Sequence, residues 1–172
     1  ELNLYDTQVA IKMAKDFFET LLAERLHLLR VSAPLIVDPA SGMNDNLNGI
    51  ERPVRFDIKS DDTRMAEIVQ SLAKWKRMTL GKYNIPAGQG IYTDMNAIRR
   101  DEKLDALHSI YVDQWDWEKV ITKEQRNEEY LKETVRELYK IIKKLSMHIG
   151  SIYPASKIDL PEELFFITAQ EL

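Results

Sequence analysis

The sequence predicts an α+β fold, an antiparallel sheet flanked by helices. Three observations carry this. A helical apolar repeat occupies residues 8–25, a second runs over residues 123–149, and strand-like stretches lie between them. Helices at the ends with strands in the middle is the segregated order of an antiparallel sheet, not the alternation of βαβ units. The 172 residues suit a single domain, spanning 1–172, with a sizeable core.

Taken in order, Ala10, Met13, Ala14, Phe17, Leu21 and Leu22 fall on one face of the first helix, and Asp6 or Thr7 can cap its start. Residues 28–37 read as a strand interrupted at Pro34, since proline is tolerated only at a strand edge, start or bulge. Residues 38–52 are a loop rich in Asp, Asn, Gly and Pro. Val54, Phe56 and Ile58 alternate with Arg55, Asp57 and Lys59 in a half-buried strand, and residues 66–70 form another short one. Residues 71–80 read as a helix capped by Ser71 and stopped by Gly81. Residues 91–100 and 109–117 are strands. The long last helix has a capping box from Thr122 and Gln125, a buried stripe of Leu131, Val135, Leu138, Ile142 and Leu145, and an end at Gly150.

Composition narrows the chemistry. A net charge of −4 argues weakly against a general nucleic-acid or anionic-membrane surface. There is no cysteine, which excludes disulfide scaffolds, thiolate metal sites and cysteine nucleophiles. His27, His108 and His148 lie far apart without metal-ligand spacing. No apolar run approaches the ~18 residues of a membrane span, and no signal-peptide pattern opens the sequence. A cytoplasmic location is the natural expectation.

The most informative stretch is LHSIYVDQWDWEKV, residues 107–120. Side chains alternate across a strand, so Ile110, Val112, Gln114, Asp116 and Glu118 share one face. Ser109, Tyr111, Asp113, Trp115 and Trp117 share the other, which reads as packing against a helix. A buried carboxylate is costly without a cation, a donor or a metal. Two readings fit the first face: a floor for a polar ligand, or a solvated strand end. Cations are available at Lys74, Lys76 and Arg77 on the middle helix and at Arg99 and Arg100 at a strand end. Taken singly, each basic cluster reads first as solvated surface, and His108 as a loop residue.

The stretches SLAKWKRMTLGKYNIPAGQGIYTDMNAIR and LHSIYVDQWDWE, with ERLHLLRVSAPLI at 24–36 and DNLNG at 45–49, resemble the ammonia-dependent asparagine synthetases, or aspartate–ammonia ligases. The resemblance runs from the first helix to FFITAQEL at the end. It implies the catalytic fold of the class II aminoacyl-tRNA synthetases, with residues 1–172 forming the N-terminal portion of a longer family chain. The third class motif, its ATP-binding arginine, metal carboxylates and further strands would lie beyond residue 172.

The implied activity is ATP-dependent synthesis of L-asparagine from L-aspartate and ammonia. It passes through β-aspartyl-AMP, releases pyrophosphate and AMP, and uses ATP with Mg2+. The resemblance implies a cytoplasmic homodimer formed through the Pro34 region, with no nucleic acid or membrane partner. Arg99 resembles the second-motif arginine that grips the α-phosphate; Arg100, with Glu102, also fits the Arg-x-Glu spelling, and the Ala-Ile-Arg context favours Arg99. His108 and Val112 fall on the ATP side, Val112 where class members often carry phenylalanine. Ser71, Lys76, Gln114 and Asp116 resemble the groups that hold the amino-acid substrate, Lys76 pairing with a carboxylate. Asp45 resembles a loop aspartate that helps bind or deprotonate ammonium. The missing cysteine agrees with free ammonia as nitrogen donor, since glutamine-dependent synthetases use an N-terminal cysteine nucleophile. Two other readings stand beside this one: a non-catalytic synthetase-like binding or regulatory module, and a fragment of an aspartate- or asparagine-type tRNA synthetase.

Overall fold

The computed structural model describes residues 2–172, which form two compact units. One takes the described residues up to Arg25 together with Lys123–Leu172, and the other is Leu26–Thr122. The first is built on helix α1 (Leu4–Leu26) and helix α3 (Glu128–Ile152). α1 starts earlier than its apolar repeat, because Asn3 Oδ1 accepts the Asp6 N–H at 2.8 Å. Asp6 and Thr7, expected as caps, lie inside the helix.

α3 starts later than expected. Asn127 Oδ1 accepts the Tyr130 N–H at 2.9 Å, and Thr122 and Gln125 lie in the turns ahead of it. Gly150 does not end the helix. A Cβ there would stand 3.2 Å from Lys157, so the glycine makes room for the chain folding back after α3. Ile141 is the buried position of α3, not Ile142, and Leu131 is exposed. His148 stacks on Phe17 with ring centroids 4.3 Å apart. Among the described residues, no helix is long and apolar enough to cross a membrane.

The second unit holds two three-stranded sheets. The expected strand over 28–37 is two strands, β1 (Leu28–Arg30) and β2 (Ile36–Val37), which break around Pro34 and enter different sheets. β3 (Arg55–Ile58) and β4 (Asp61–Ile68) form a hairpin with a register shift at Asp57 and Ile58, and β2 pairs with the other edge of β4. β4 is longer than the apolar residues 66–70 predict. Its first half is polar and exposed, so backbone pairing rather than burial makes it a strand.

The other sheet has the order β1-β5-β6, with β5 (Gly90–Ile98) central and β6 (Tyr111–Lys119) beside it. β5 and β6 pair antiparallel as expected, but β1 runs parallel to β5. A parallel pair needs a long crossover, and the second sheet and helix α2 (Ala73–Lys82) supply it. Gly90 is required where the three strands meet. A Cβ on it would stand 2.3 Å from the Glu118 carbonyl oxygen and 2.7 Å from the Leu28 side chain.

α2 runs through Gly81 to Lys82, and the left-handed residue that follows is Asn84, with φ 52°. Ser71 Oγ accepts the Ala73 N–H at 3.2 Å from two residues before the helix, where Leu72 holds the capping position. Val69, Leu72, Met95 and Ala97 form the apolar cluster beneath the site, with Ala33, Val37, Trp75 and Val112 packed against it.

Candidate active site

The antiparallel register sets Met95 opposite Gln114, Thr93 opposite Asp116 and Ile91 opposite Glu118. Thr93, Met95 and Ile91 are buried. The polar half of β6 therefore stands beside a closed apolar floor, and α2 packs on that same face rather than on the tryptophan face. The Lys76 ammonium donates to Asp116 Oδ1 and, at 3.0 Å, to the Trp117 carbonyl, and lies 3.5 Å from Glu118 Oε2. Arg77 Nε reaches Glu118 Oε1 at 3.3 Å. Lys76 is only 6% exposed. A buried ammonium is tolerable because an opposite charge and a carbonyl replace its water. Neither sequence reading of this face was complete: the carboxylates are neither bare nor solvated, since a lysine from α2 has been laid upon them.

A second group gathers at the end of β5. Arg99 is half-buried and its Nε donates to the Gln70 carbonyl at 3.3 Å, whereas Arg100 is exposed. Arg99 lines a cavity of about 400 Å³ with Leu47, Asn48, Glu51, Asp101 and Glu102. Asp45 is half-buried in the same loop, next to the buried Asn44. Asn44 is bonded on every polar side-chain atom. Its Oδ1 accepts the Gln70 N–H at 2.8 Å, and its Nδ2 donates to Glu67 Oε2 at 3.0 Å and to the Ile68 carbonyl at 3.1 Å.

The far end of the loop is clamped by Arg52, whose Nε and backbone N–H both donate to Asp101 Oδ2, at 2.9 and 2.8 Å. The side-chain hydrogen bond from Arg52, then that from its backbone N–H, hold the Asp101 carboxyl well below the usual carboxylate range. Among the loops of this unit, Asp105 accepts the N–H groups of Leu107 and His108. It also pairs with His108 Nδ1 at 2.8 Å. The Leu107 N–H, then the His108 ring, lower its carboxyl from the ordinary value.

The structure thus brings Lys76 and Asp116 together, with Glu118 beside them, and joins the Asp45 loop to Arg99 through the backbone of Gln70. Ser71 is half-buried directly after Gln70, and Gln114 lies exposed on β6. His108 is exposed and turned to Asp105, while Val112 packs against the apolar cluster.

Sequence reasoning passed over Asn44, Gln70 and the Arg52–Asp101 clamp. A buried asparagine in an Asn-rich loop has no sequence signal, and neither has a clamp spanning 49 residues. Gln70 is fully buried, yet neither atom of its carboxamide has a hydrogen-bond partner among the described residues. Enclosing an unpartnered polar group costs roughly 1–3 kcal/mol, and such costs gather at functional sites.

The model of the aspartate-ammonia ligase family matches residues 5–172. An aspartate–ammonia ligase of Clostridium tetani is 60% identical over 172 residues, covering all of this chain and 50% of its own length. That of Fusobacterium nucleatum is 63% identical over 171 residues, 99% of this chain and 52% of its own. The chain spans about half the length of the relatives it matches. Among solved structures, the Desulfitobacterium hafniense PylSc, a pyrrolysyl tRNA synthetase, superposes with a TM-score of 0.54 at 12% identity, over 77% of this chain and 45% of that one. That likeness establishes the class II synthetase fold alone. A mixed sheet of this type, a lysine–carboxylate pair laid upon it and a family match over nearly the whole length lead to one statement: the chain belongs to the aspartate-ammonia ligase family.

Proposed function

We propose that this chain supplies the aspartate site and part of the ATP site of an enzyme that makes L-asparagine from L-aspartate and ammonia, with β-aspartyl-AMP as the intermediate. The observation that carries the reading is the buried Lys76–Asp116 pair on the floor of β6. It presents a cation and an anion side by side. An amino acid with a side-chain carboxylate presents the complementary pair, so substrate binding exchanges one set of ionic partners for another without stranding a charge. Lys76 takes a substrate carboxylate and Asp116 takes the α-ammonium, with Gln114 and Ser71 as the neutral polar contacts.

In the first step a β-carboxylate oxygen attacks the α-phosphorus of ATP and pyrophosphate leaves. Arg99 stands at the strand end beside the cavity and stabilises the charge that grows on the phosphate oxygens. His108 and Val112 lie on the nucleotide side. In the second step ammonium gives up a proton, with Asp45 as acceptor, and ammonia attacks the β-carbonyl carbon. The carbon–oxygen bond to phosphate breaks, the nitrogen sheds its second proton to the departing phosphate, and AMP leaves. Magnesium travels with ATP as part of that substrate. Among the described residues no group of three or more carboxylates and histidines stands close enough to seat it. A homodimer is proposed through the Pro34 segment, where Leu35 and Ile36 are each 48% exposed.

The test uses a protein of the relatives' full length carrying this sequence. Aspartate-dependent exchange of labelled pyrophosphate into ATP, and asparagine and AMP formed only when ammonium is added, are the expected results. Charging of tRNA without ammonium would move the assignment to a tRNA synthetase, and silence in both assays to a binding module.

A further inference from the structure

From this geometry we infer that Asn44 is the positioning residue for the Asp45 loop, a latch that fixes the loop just past the end of β4 at the same residue, Gln70, that holds Arg99. The inference rests on the role proposed for Asp45. Three observations support it. Asn44 is 7% exposed in an otherwise largely exposed loop, and its carboxamide makes three hydrogen bonds at 2.8–3.1 Å to three different residues. Its own carbonyl also accepts from Lys74 Nζ at 3.2 Å, which ties the loop to α2. The other end of the loop is independently pinned by Arg52 on Asp101. The chain from Asp45 to Glu51 is thus held at both ends beside the cavity that Arg99 lines.

The shared joint gives the latch its consequence. The Gln70 N–H is given to Asn44 and the Gln70 carbonyl to Arg99, so the backbone of one residue, through the peptides on its two sides, sets the spacing between the ammonia side and the phosphate side of the site. Asn44 itself touches no reacting atom. It fixes where Asp45 stands when ammonium arrives, and the ammonia-dependent half-reaction is where its loss is felt.

The experiment compares Asn44→Ala with the unaltered full-length protein in two assays and one structural readout. Expected are a rise of roughly tenfold or more in the KM for ammonium, aspartate-dependent pyrophosphate exchange within about twofold of normal, and faster amide hydrogen exchange across residues 45–49. The double variant Asn44→Asp with Glu67→Gln restores the ammonium KM in part, because the new amide at 67 donates to the new carboxylate at 44, which still accepts the Gln70 N–H. Should Asn44→Ala fail to fold, Asn44→Ser keeps a hydroxyl acceptor for that N–H and serves the same comparison. Unchanged hydrogen exchange in the loop overturns the latch whatever the activity. Equal losses in both half-reactions overturn the positioning role. An unaltered protein without pyrophosphate exchange defeats the proposed function instead, and the loop readout still decides the latch.

Discussion

Lys76–Asp116 and Arg52–Asp101 are the same kind of contact in two environments. Each joins a cation to an aspartate across more than 35 residues of sequence, 40 in one case and 49 in the other. The side chains of the first pair are 7% and 14% exposed, those of the second 68% and 24%. The first pair has exchanged its water for protein and must be complete to be tolerated, whereas the second is a surface fork that water and salt can replace. The difference separates a site from a strap. In the proposed function a charged substrate substitutes for one partner of the buried pair, whereas the exposed pair can open without stranding a charge.

The largest expected effect breaks the buried pair. Lys76→Met leaves Asp116 without its cation, while Glu118 keeps Arg77, and should destabilise the protein by about 3–5 kcal/mol. Adding Asp116→Leu should recover most of that stability in chemical denaturation while aspartate-dependent pyrophosphate exchange stays absent. Recovery of exchange together with stability would remove the pair from the substrate site.

Next comes Arg99→Ala, which should weaken adenylate formation by ~2 kcal/mol or more. Its effect on the melting temperature should be small, since among the described residues the side chain makes a single long hydrogen bond, to the Gln70 carbonyl. An Arg99→Ala protein that exchanges pyrophosphate normally, with Arg100→Ala silent, would transfer the phosphate role to Arg100. A gain is expected from Gln70→Met. Removing an enclosed carboxamide without partners should stabilise by about 1 kcal/mol, at the expense of activity if the residue serves the site. A lower melting temperature would mean that the carboxamide is bonded in solution.

The smallest effect tests the exposed fork. The Asp101 carboxyl is lowered in the folded state, first by the Arg52 side chain. Its contribution is therefore complete above the ordinary carboxylate value of about 4 and is lost as pH falls through it toward the lowered one. Arg52→Ala should lower stability at pH 7 by a small amount, converge with the unaltered protein at acid pH, and so flatten the acid side of the stability–pH curve. An acid limb identical to that of the unaltered protein would show that Asp101 has other partners.

The alternation of β6 was legible in the sequence because a strand has one period and every residue from Tyr111 to Lys119 obeys it. The helices were legible from their apolar repeats, though not their ends. Asn3 and Asn127 cap them, while the more familiar Thr122 and Gln125 signature lies outside. Capping is decided by which side chain meets the free N–H groups, and several nearby residues could have done so. The parallel pairing of β1 with β5 was invisible, because pairing partners 62 residues apart in the register leave no local trace.

By itself the sequence determined the α+β class, the two faces of β6 and the family resemblance carried by words such as SLAKWKR and YVDQWDWE. These are local facts, set by side-chain period and by residue type. Only the tertiary structure decided that α2 lies over the carboxylate face, that Lys76 rather than Lys74 is the buried cation, and that Asn44 and Arg99 both bind the backbone of Gln70. The reason is physical: the worth of a charge or an amide depends on what replaces its water, and that is known only once the chain has closed around it.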